Sequence, residues 1–501
     1  MRPIDYLYKG LAHGADSVAI AGPGTPVTYG ELVVSVDALA AALQSIDPMP
    51  GSRVGICARN TPEHLLALLA TYAAGKVWVP LNPRNGRAEL DAMIATTRPS
   101  ILVADESCVG RFTPTSAPLI LAKTERAASD AASVGGLAKE WRGKRPEKVE
   151  RGDDEPQIIK FSGGSTGRPK AVVQSMRCIE AQARGLLEFF EFNATDANLI
   201  AAPLTHGTSC FVLPILAVGG QHVLLEEPKA NAIIEQMHAH AITTLYAPPT
   251  MIYAILDEPT VTQRAFPALR HLIYSAAPMS PQRIREAQGV FGPVVETAYG
   301  QVEAPQIVTA MRAKDLMREQ NLESVGRASS VANVAIVAPD GAELPPDEIG
   351  EIVVQGPLVM NGYLDHPDLT ASTLVDGWLH TGDLGYMDER GYVFIRGRLR
   401  EMINTGGFKV FPADVETVLA KHPLVAEACV FGVEDPKWGE AVHAAVRLVP
   451  GASATSDELV DYVKRELDSV KAPKQVHFVR ELPRNAAGKV SRVEVRAALS
   501  S

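Results

Sequence analysis

The chain has 501 residues, of which 46% are hydrophobic and 21% charged, and a formal net charge of −10. The length exceeds one ordinary core, so two or more domains are expected, and the composition is that of a soluble globular protein rather than a disordered or fibrous one. The acidic balance excludes an overall basic footprint for nucleic acid, so a polyanionic substrate such as a nucleotide must be held by local donors.

The opening residues MRPIDYLYKGLAHG lack a basic start followed by an apolar core, and no signal peptide is expected. Thr28-Tyr29-Gly30-Glu31 reads as a capping box opening an amphipathic helix to about Ile46. RVGICA is a short buried strand. Thr61 and Pro62 supply an N-cap and an N1 proline for TPEHLLALLATYAAG, which Gly75 can terminate. VWVPL and ILVAD are further strands, and strands alternating with helices imply βαβ units and a largely parallel sheet. Residues 139–157 are dense in charge and read as a surface loop.

The strand QIIKF then runs into SGGSTGRPK, residues 162–170. CFVLPILAVGG is apolar but short and broken by Pro214, so it reads as a buried helix rather than a membrane span. HVLLEE, ITTLYAPP and HLIYSAAP continue the alternation. From about residue 325 the pattern turns to short strands, ANVAIVAPDGAEL, GEIVVQG and YVFIRGR, which reads as a β-rich subdomain. AEACVFGV, AVHAAVRLV, SDELVDYVKREL and KQVHFV form a small α+β unit at the end. The cysteines 57, 108, 178, 210 and 429 contain no CxxC, which suits a reducing, cytoplasmic location and argues against a disulfide framework or a zinc site.

The glycine loop carries the chemistry. It follows an apolar strand, where open α/β sheets place ligands. Its glycines admit backbone N–H groups to phosphate oxygens, Ser162, Ser165 and Thr166 add hydroxyls, and Arg168 and Lys170 add charge. A Walker loop needs Gly-Lys-Ser/Thr. Here Pro169 separates Gly167-Arg168 from the lysine and Ala171 replaces the hydroxyl residue, so that reading fails. A plain hairpin turn between QIIKF and AVVQS is the remaining alternative on residues alone.

SGGSTGRPK resembles the phosphate loop of the adenylate-forming superfamily, which includes acyl- and aryl-CoA synthetases. AYGQVEA at 298–304, the run 377–416 and PRNAAGKVSR at 483–492 resemble its other motifs, in the same order. The resemblance covers essentially the whole chain. It implies an α/β fold: a large N-terminal domain, 1–398, of parallel α/β subdomains with a small β-rich subdomain, and a small mobile α+β C-terminal domain, 399–501, with its hinge near Arg400. It also implies two reactions. A carboxylate attacks the α-phosphorus of ATP, giving an acyl-adenylate and pyrophosphate, and the thiol of coenzyme A then takes the acyl group and releases AMP.

By the same resemblance Ser162, Gly163, Gly164, Ser165, Thr166, Gly167 and Lys170 would hold the β- and γ-phosphates, and Glu303 would help bind Mg2+. Ser275, Ala276 and Ala277 would line the adenine pocket, Tyr299 would stack on adenine, and Gly300 would also contact the nucleotide. Asp383 would accept from both ribose hydroxyls, and Arg398 would join it or reach the phosphate. Lys489 would bridge the carboxylate and the α-phosphate. Gly406, Gly407 and Trp438 would face coenzyme A. His206, Tyr246, Pro249, Ala298, Gly300 and Val302 would line the acyl pocket, with His206 gating it. Val302 replaces the family's usual Thr, and Val302→Thr is expected to leave activity intact or improve it. Gly207 stands where peptide-synthetase domains carry an Asp for the substrate amine, which disfavours a free amino acid.

The expected partners are therefore ATP, Mg2+, a small carboxylic acid with an uncharged aliphatic or aromatic tail, and coenzyme A. Neither nucleic acid nor an integral membrane is expected. A homodimer is compatible with the resemblance, though nothing legible encodes it. Three alternatives stay open: loading of a carrier-protein pantetheine, a non-catalytic protein retaining only the fold, and a P-loop ATPase or kinase, which the Walker mismatch opposes.

Overall fold

The computed structural model describes the chain apart from residues 23, 124–131, 163–168, 485–489 and 500–501. It divides into two compact units, one of Met1–Val334 and Val354–Leu379, the other of Ala335–Val353 and His380–Ser501.

The helix Tyr29–Ile46 begins as its sequence dictates. The Thr28 side chain accepts from the Glu31 N–H while the Glu31 carboxylate accepts from the Thr28 N–H. This helix has the length and composition of a membrane span, but Leu32, Val36, Leu39 and Leu43 are buried within the unit's core. Thr61 caps Pro62–Ala73, and Gly75 follows it with φ +70°, the left-handed geometry that lets the chain leave the helix. The apolar run after Cys210 forms the short helix Val212–Ala217, buried at every position.

Two sheets organise the first unit. In one, strands Val18–Ala21, Gln221–Leu224, Ala197–Ile200, Thr244–Ala247, His271–Tyr274 and Val295–Tyr299 lie side by side and parallel. Ala197–Ile200 has the strand that follows it on one side and Thr244–Ala247 on the other, so the direction of strand addition reverses there. Such a reversal opens a crevice at the carboxyl ends of the strands, where doubly wound sheets bind ligands. In the second sheet Pro156–Ser162, Val77–Pro80, Arg53–Cys57, Ile101–Ala104 and Leu119–Leu121 run parallel, and Lys170–Ser175 returns antiparallel beside Pro156–Ser162.

The second unit takes in the expected C-terminal strands and also 335–353 and 380–398. Arg396 Nη1 stands 3.9 Å from Asp414 Oδ1, which joins 380–398 to helix Pro412–Ala420, and two hydrogen bonds join 335–353 to 380–398. The Thr381 hydroxyl donates to the Ile352 carbonyl at 2.6 Å, and the Glu351 carboxylate accepts from the Gly382 N–H at 2.9 Å. Its own sheet contains Phe408–Val410, Ile403–Thr405, Gly439–Leu448, Val425–Asp435 and Gln475–Phe478. Val415, Leu419, Leu459 and Val463, from helices Pro412–Ala420 and Ser456–Glu466, pack into a core with Val430, Val442 and Val476. All five cysteines of the chain are free and buried.

Candidate active site

The glycine loop joins a β-hairpin whose last described pair is Ser162 opposite Lys170. Gly163, Gly164, Ser165, Thr166, Gly167 and Arg168 lie outside the described residues. At the mouth of the loop the Ser162 hydroxyl donates to Glu303 Oε1 at 2.9 Å, and the Tyr363 hydroxyl donates to the same oxygen at 3.0 Å. The Lys170 ammonium stands 5.2 Å from the centre of the Tyr363 ring. Gly362–Tyr363 is paired with Val172 and Val173, which fixes Tyr363 beside Lys170. Three residues expected from sequence, Ser162, Lys170 and Glu303, are thus together. Tyr363 joins them unannounced by any local signal.

Four strand ends open on the crevice of the parallel sheet. Ser275, Ala276 and Ala277 follow His271–Tyr274, and Ala276 holds a left-handed φ of 76° that a Cβ-bearing residue rarely adopts. Ala298 and Tyr299 end the neighbouring strand Val295–Tyr299, and both are buried. A Cβ on Gly300 would stand 2.4 Å from the Gln306 backbone nitrogen, so only glycine fits that turn. Val302 is half-buried, and its carbonyl accepts from Gln174 Nε2 at 2.7 Å.

His206 follows Ala197–Ile200, and both of its ring nitrogens are engaged. Asn82 Nδ2 lies 3.3 Å from Nε2, and Thr205 Oγ1 lies 3.3 Å from Nδ1. An amide N–H donates to Nε2 only if that nitrogen is unprotonated, so this contact selects the neutral Nδ1–H tautomer. The His206 carbonyl accepts from Ser209 Oγ at 2.8 Å and from the buried Lys160 ammonium at 3.4 Å. Lys160 also donates to Ser209 Oγ at 3.0 Å and sits 5.4 Å from the Trp78 ring centre. Burial lowers the Lys160 pKa, and its thiol neighbours Cys210 and Cys178 oppose that only in part.

Tyr246 lies at the end of Thr244–Ala247 with its ring 5.2 Å from that of Phe211. Burial pushes its phenol well above the ordinary range. A Cβ placed on Gly207 would stand 2.3 Å from the Tyr246 oxygen, so no side chain at 207 could reach a substrate amine there. Pro249 is buried at the first turn of helix Pro249–Leu256, directly after Tyr246's strand.

The second unit carries the other expected groups. Asp383 and Arg398 face each other across antiparallel strands, with Arg398 Nε 2.8 Å from Asp383 Oδ1. The Asp383 N–H donates to Thr381 Oγ1 at 3.0 Å, and His380 Nδ1 lies 2.8 Å from Glu351 Oε2. Sequence reasoning did not single out Glu351, although it anchors both His380 and Gly382. Arg400 is exposed in the turn Leu399–Glu401.

Gly406 and Gly407 both have left-handed φ values, 58° and 85°, and the Gly406 N–H donates to the Trp438 carbonyl at 2.7 Å. A Cβ on Gly406 would stand 2.8 Å from the Trp438 ring. Trp438 itself is exposed and flanked by the Lys437 and Lys474 ammonium groups, 4.6 and 5.6 Å from the ring centre. Lys489 lies outside the described residues. The chain on either side of it is closed by the Arg484–Val490 bridge and by the Ser491 N–H donating to the Pro483 carbonyl at 2.8 Å. Among the described residues no group of three or more His, Cys, Asp or Glu side chains could hold a metal ion.

Comparison with known proteins identifies the family. Residues 9–364 match the AMP-binding enzyme family, and residues 414–489 match the AMP-binding enzyme C-terminal domain. A medium/long-chain fatty acid–CoA ligase of Mycobacterium tuberculosis is 34% identical over 496 residues, covering 94% of this chain and 86% of that protein. A feruloyl-CoA synthase of an Amycolatopsis species is 33% identical over 483 residues, covering 96% and 95%. The solved amide bond synthetase McbA of Marinactinospora thermotolerans superposes with a TM-score of 0.89 at 29% identity, covering 100% of both chains. The chain belongs to the AMP-binding enzyme family and is an AMP-forming acid–thiol ligase of the acyl- and aryl-CoA synthetase type.

Proposed function

We propose that this ligase couples an uncharged organic acid to coenzyme A through an acyl-adenylate, using the residues assembled above. The observation that carries the reading is Glu303, whose Oε1 accepts from Ser162 and Tyr363 at the mouth of the glycine loop, beside Lys170. A carboxylate and a cation at this mouth support the reading that the β- and γ-phosphates of ATP bind there. One carboxylate whose other oxygen takes no hydrogen bond among the described residues fits Mg2+, which keeps several waters and takes few protein ligands. When bound there, the ion would neutralise phosphate charge.

In the first step a carboxylate oxygen bonds to the α-phosphorus, the bond to the bridging oxygen breaks, and pyrophosphate departs. Lys170 donates to the leaving group, which stabilises charge where it develops, while the Ser162 and Tyr363 hydroxyls hold Glu303 in place. His206, clamped by Asn82 and Thr205, holds one wall of the acyl site in a single orientation. Asp383 accepts from the ribose hydroxyls, and Lys489 bridges the two reacting anions. In the second step the thiol attacks the acyl carbon and AMP leaves. Gly406 and Gly407 leave room for a narrow pantetheine arm, and the lysines beside Trp438 suit the phosphates of coenzyme A.

The test is pyrophosphate release across a panel of carboxylic acids, with and without coenzyme A, and the mass of the product. The reading requires pyrophosphate with acid and ATP alone, and an acyl-CoA when the thiol is added. Pyrophosphate without any acyl-CoA would assign another acceptor. Lys489→Ala should abolish pyrophosphate release yet still convert a pre-made acyl-adenylate to thioester. Equal loss in both steps would contradict separate sets of residues for the two half-reactions.

A further inference from the structure

Gln306 follows the AYGQVEA motif in a conformation that its sequence does not favour. Its φ is +67°, in the left-handed region, although it is not glycine. Its side chain is buried at 6% exposure, and its Nε2 has no hydrogen-bond partner among the described residues. A primary amide shut away from water with an unused N–H is costly, and strain of this kind persists where the surroundings impose it.

The position of this amide is fixed at its oxygen. A Cβ built on Gly207 would stand 3.0 Å from Gln306 Oε1 and 2.3 Å from the Tyr246 hydroxyl, so amide and phenol converge over the bare backbone of Gly207. The backbone of Gln306 packs on Gly300, which fixes it against the acyl-site lining. Thr208, next to Gly207, carries a second buried hydroxyl without a partner among the described residues. The acyl site is therefore not uniformly apolar, as its other lining residues suggest. It holds an amide N–H without a partner among the described residues.

We infer that Gln306 selects acids whose tail carries a neutral oxygen acceptor, such as a ring ketone, ether, hydroxyl or phenol, over hydrocarbon acids of the same shape. The inference rests on the adenylation reading above and names the substrate class for that same site. A neutral oxygen is specified because the two groups that converge on Gly207, an amide and a phenol, are themselves uncharged. A substrate oxygen accepting from Nε2 completes the amide, whereas a hydrocarbon tail leaves it buried and unpaired. Sites built around such a donor discriminate strongly against analogues lacking the acceptor.

The experiment uses the full chain and matched pairs of acids: 4-methoxycinnamate against 4-ethylcinnamate, and a 4-oxocyclohexyl-alkanoate against the unsubstituted cyclohexyl-alkanoate. Pyrophosphate release gives kcat/KM for each. The oxygenated member of at least one pair should exceed its partner by about tenfold or more. Gln306→Leu should erase that preference, bringing the two members of each pair to the same kcat/KM. Gln306→Met keeps the length but removes the N–H donors, so it should also lose the preference for the methoxy and oxo acids. The methionine variant thus covers the case in which the leucine variant does not fold. Equal turnover within every pair, or a preference that survives both substitutions, overturns the inference while leaving adenylation intact. No pyrophosphate from any acid by protein that still binds ATP overturns the adenylation reading, and this inference with it.

Discussion

At the residue scale, the site depends on side chains that borrow their positions from distant parts of the chain. Glu303 Oε1 accepts two hydroxyls, one from Ser162 and one from Tyr363. Tyr363→Phe keeps the ring beneath Lys170 and removes only one of these donors. A hydrogen bond to a charged group contributes about 1.5–3 kcal/mol to stability, so the melting temperature should fall, and kcat/KM for adenylation should fall with it as Glu303 loses one of the donors that hold it. Unchanged adenylation kinetics would show that Glu303 needs no help from Tyr363.

Much of this cluster was legible beforehand, because Ser162, Lys170 and Glu303 sit in contiguous motifs. Tyr363, Asn82, Glu351 and Gln306 were not. Each acts on a group that the sheet topology, rather than local sequence, brings beside it: Asn82 meets His206 across 124 positions, and Tyr363 meets Glu303 across 60. An amide nitrogen without a partner among the described residues, such as Gln306 Nε2, leaves no mark in a sequence at all.

At the scale of elements, helix starts and strands were readable because their signals are local. Thr28 with Glu31, and Thr61 with Pro62, form the caps that their spacing implies. What joins elements is less visible. Arg492, at the start of helix Arg492–Leu499, donates from Nη2 to Glu416 Oε1 at 2.7 Å and from Nε to the Val430 carbonyl at 2.7 Å, and it also pairs with Glu401. One guanidinium thus ties the segment after Lys489 to the turn that holds Arg400, to helix Pro412–Ala420 and to strand Val425–Asp435.

Removing that cation strands two carboxylates that are only partly exposed. Arg492→Met should destabilise the second unit by about 2 kcal/mol. It should also slow adenylation by loosening the Lys489 segment. Calorimetry on the full chain checks the first effect, and unchanged unfolding of that unit would count against it.

At the scale of the whole molecule, buried histidines set the acid limit of stability. His222 Nδ1 lies 3.1 Å from Asn198 Nδ2, and its Nε2 lies 3.1 Å from the Val212 carbonyl. The amide donates to Nδ1 and Nε2–H donates to the carbonyl, an arrangement that only the neutral ring satisfies fully. Burial lowers the pKa of His222 to about 4, and that of His64 also to about 4, against an ordinary value of 6.5.

Between those values the unfolded chain binds protons that the folded chain refuses, so stability rises with pH through that window. The contribution is complete above pH 6.5 and is lost as pH falls toward 4. It is on the order of 3 kcal/mol for each residue. His222→Asn should flatten the fall in denaturant midpoint between pH 6.5 and 4. An unchanged slope would mean that His222 does not carry it.

The central claim is that the acid is activated by bonding its own oxygen to the α-phosphorus of ATP. Supplying the acid with both carboxylate oxygens as 18O, together with ATP and coenzyme A, tests this directly by the mass of the nucleotide released. The account predicts AMP carrying one 18O atom, because thiol attack leaves that oxygen on phosphorus. Unlabelled AMP, or ADP with phosphate in its place, would contradict it.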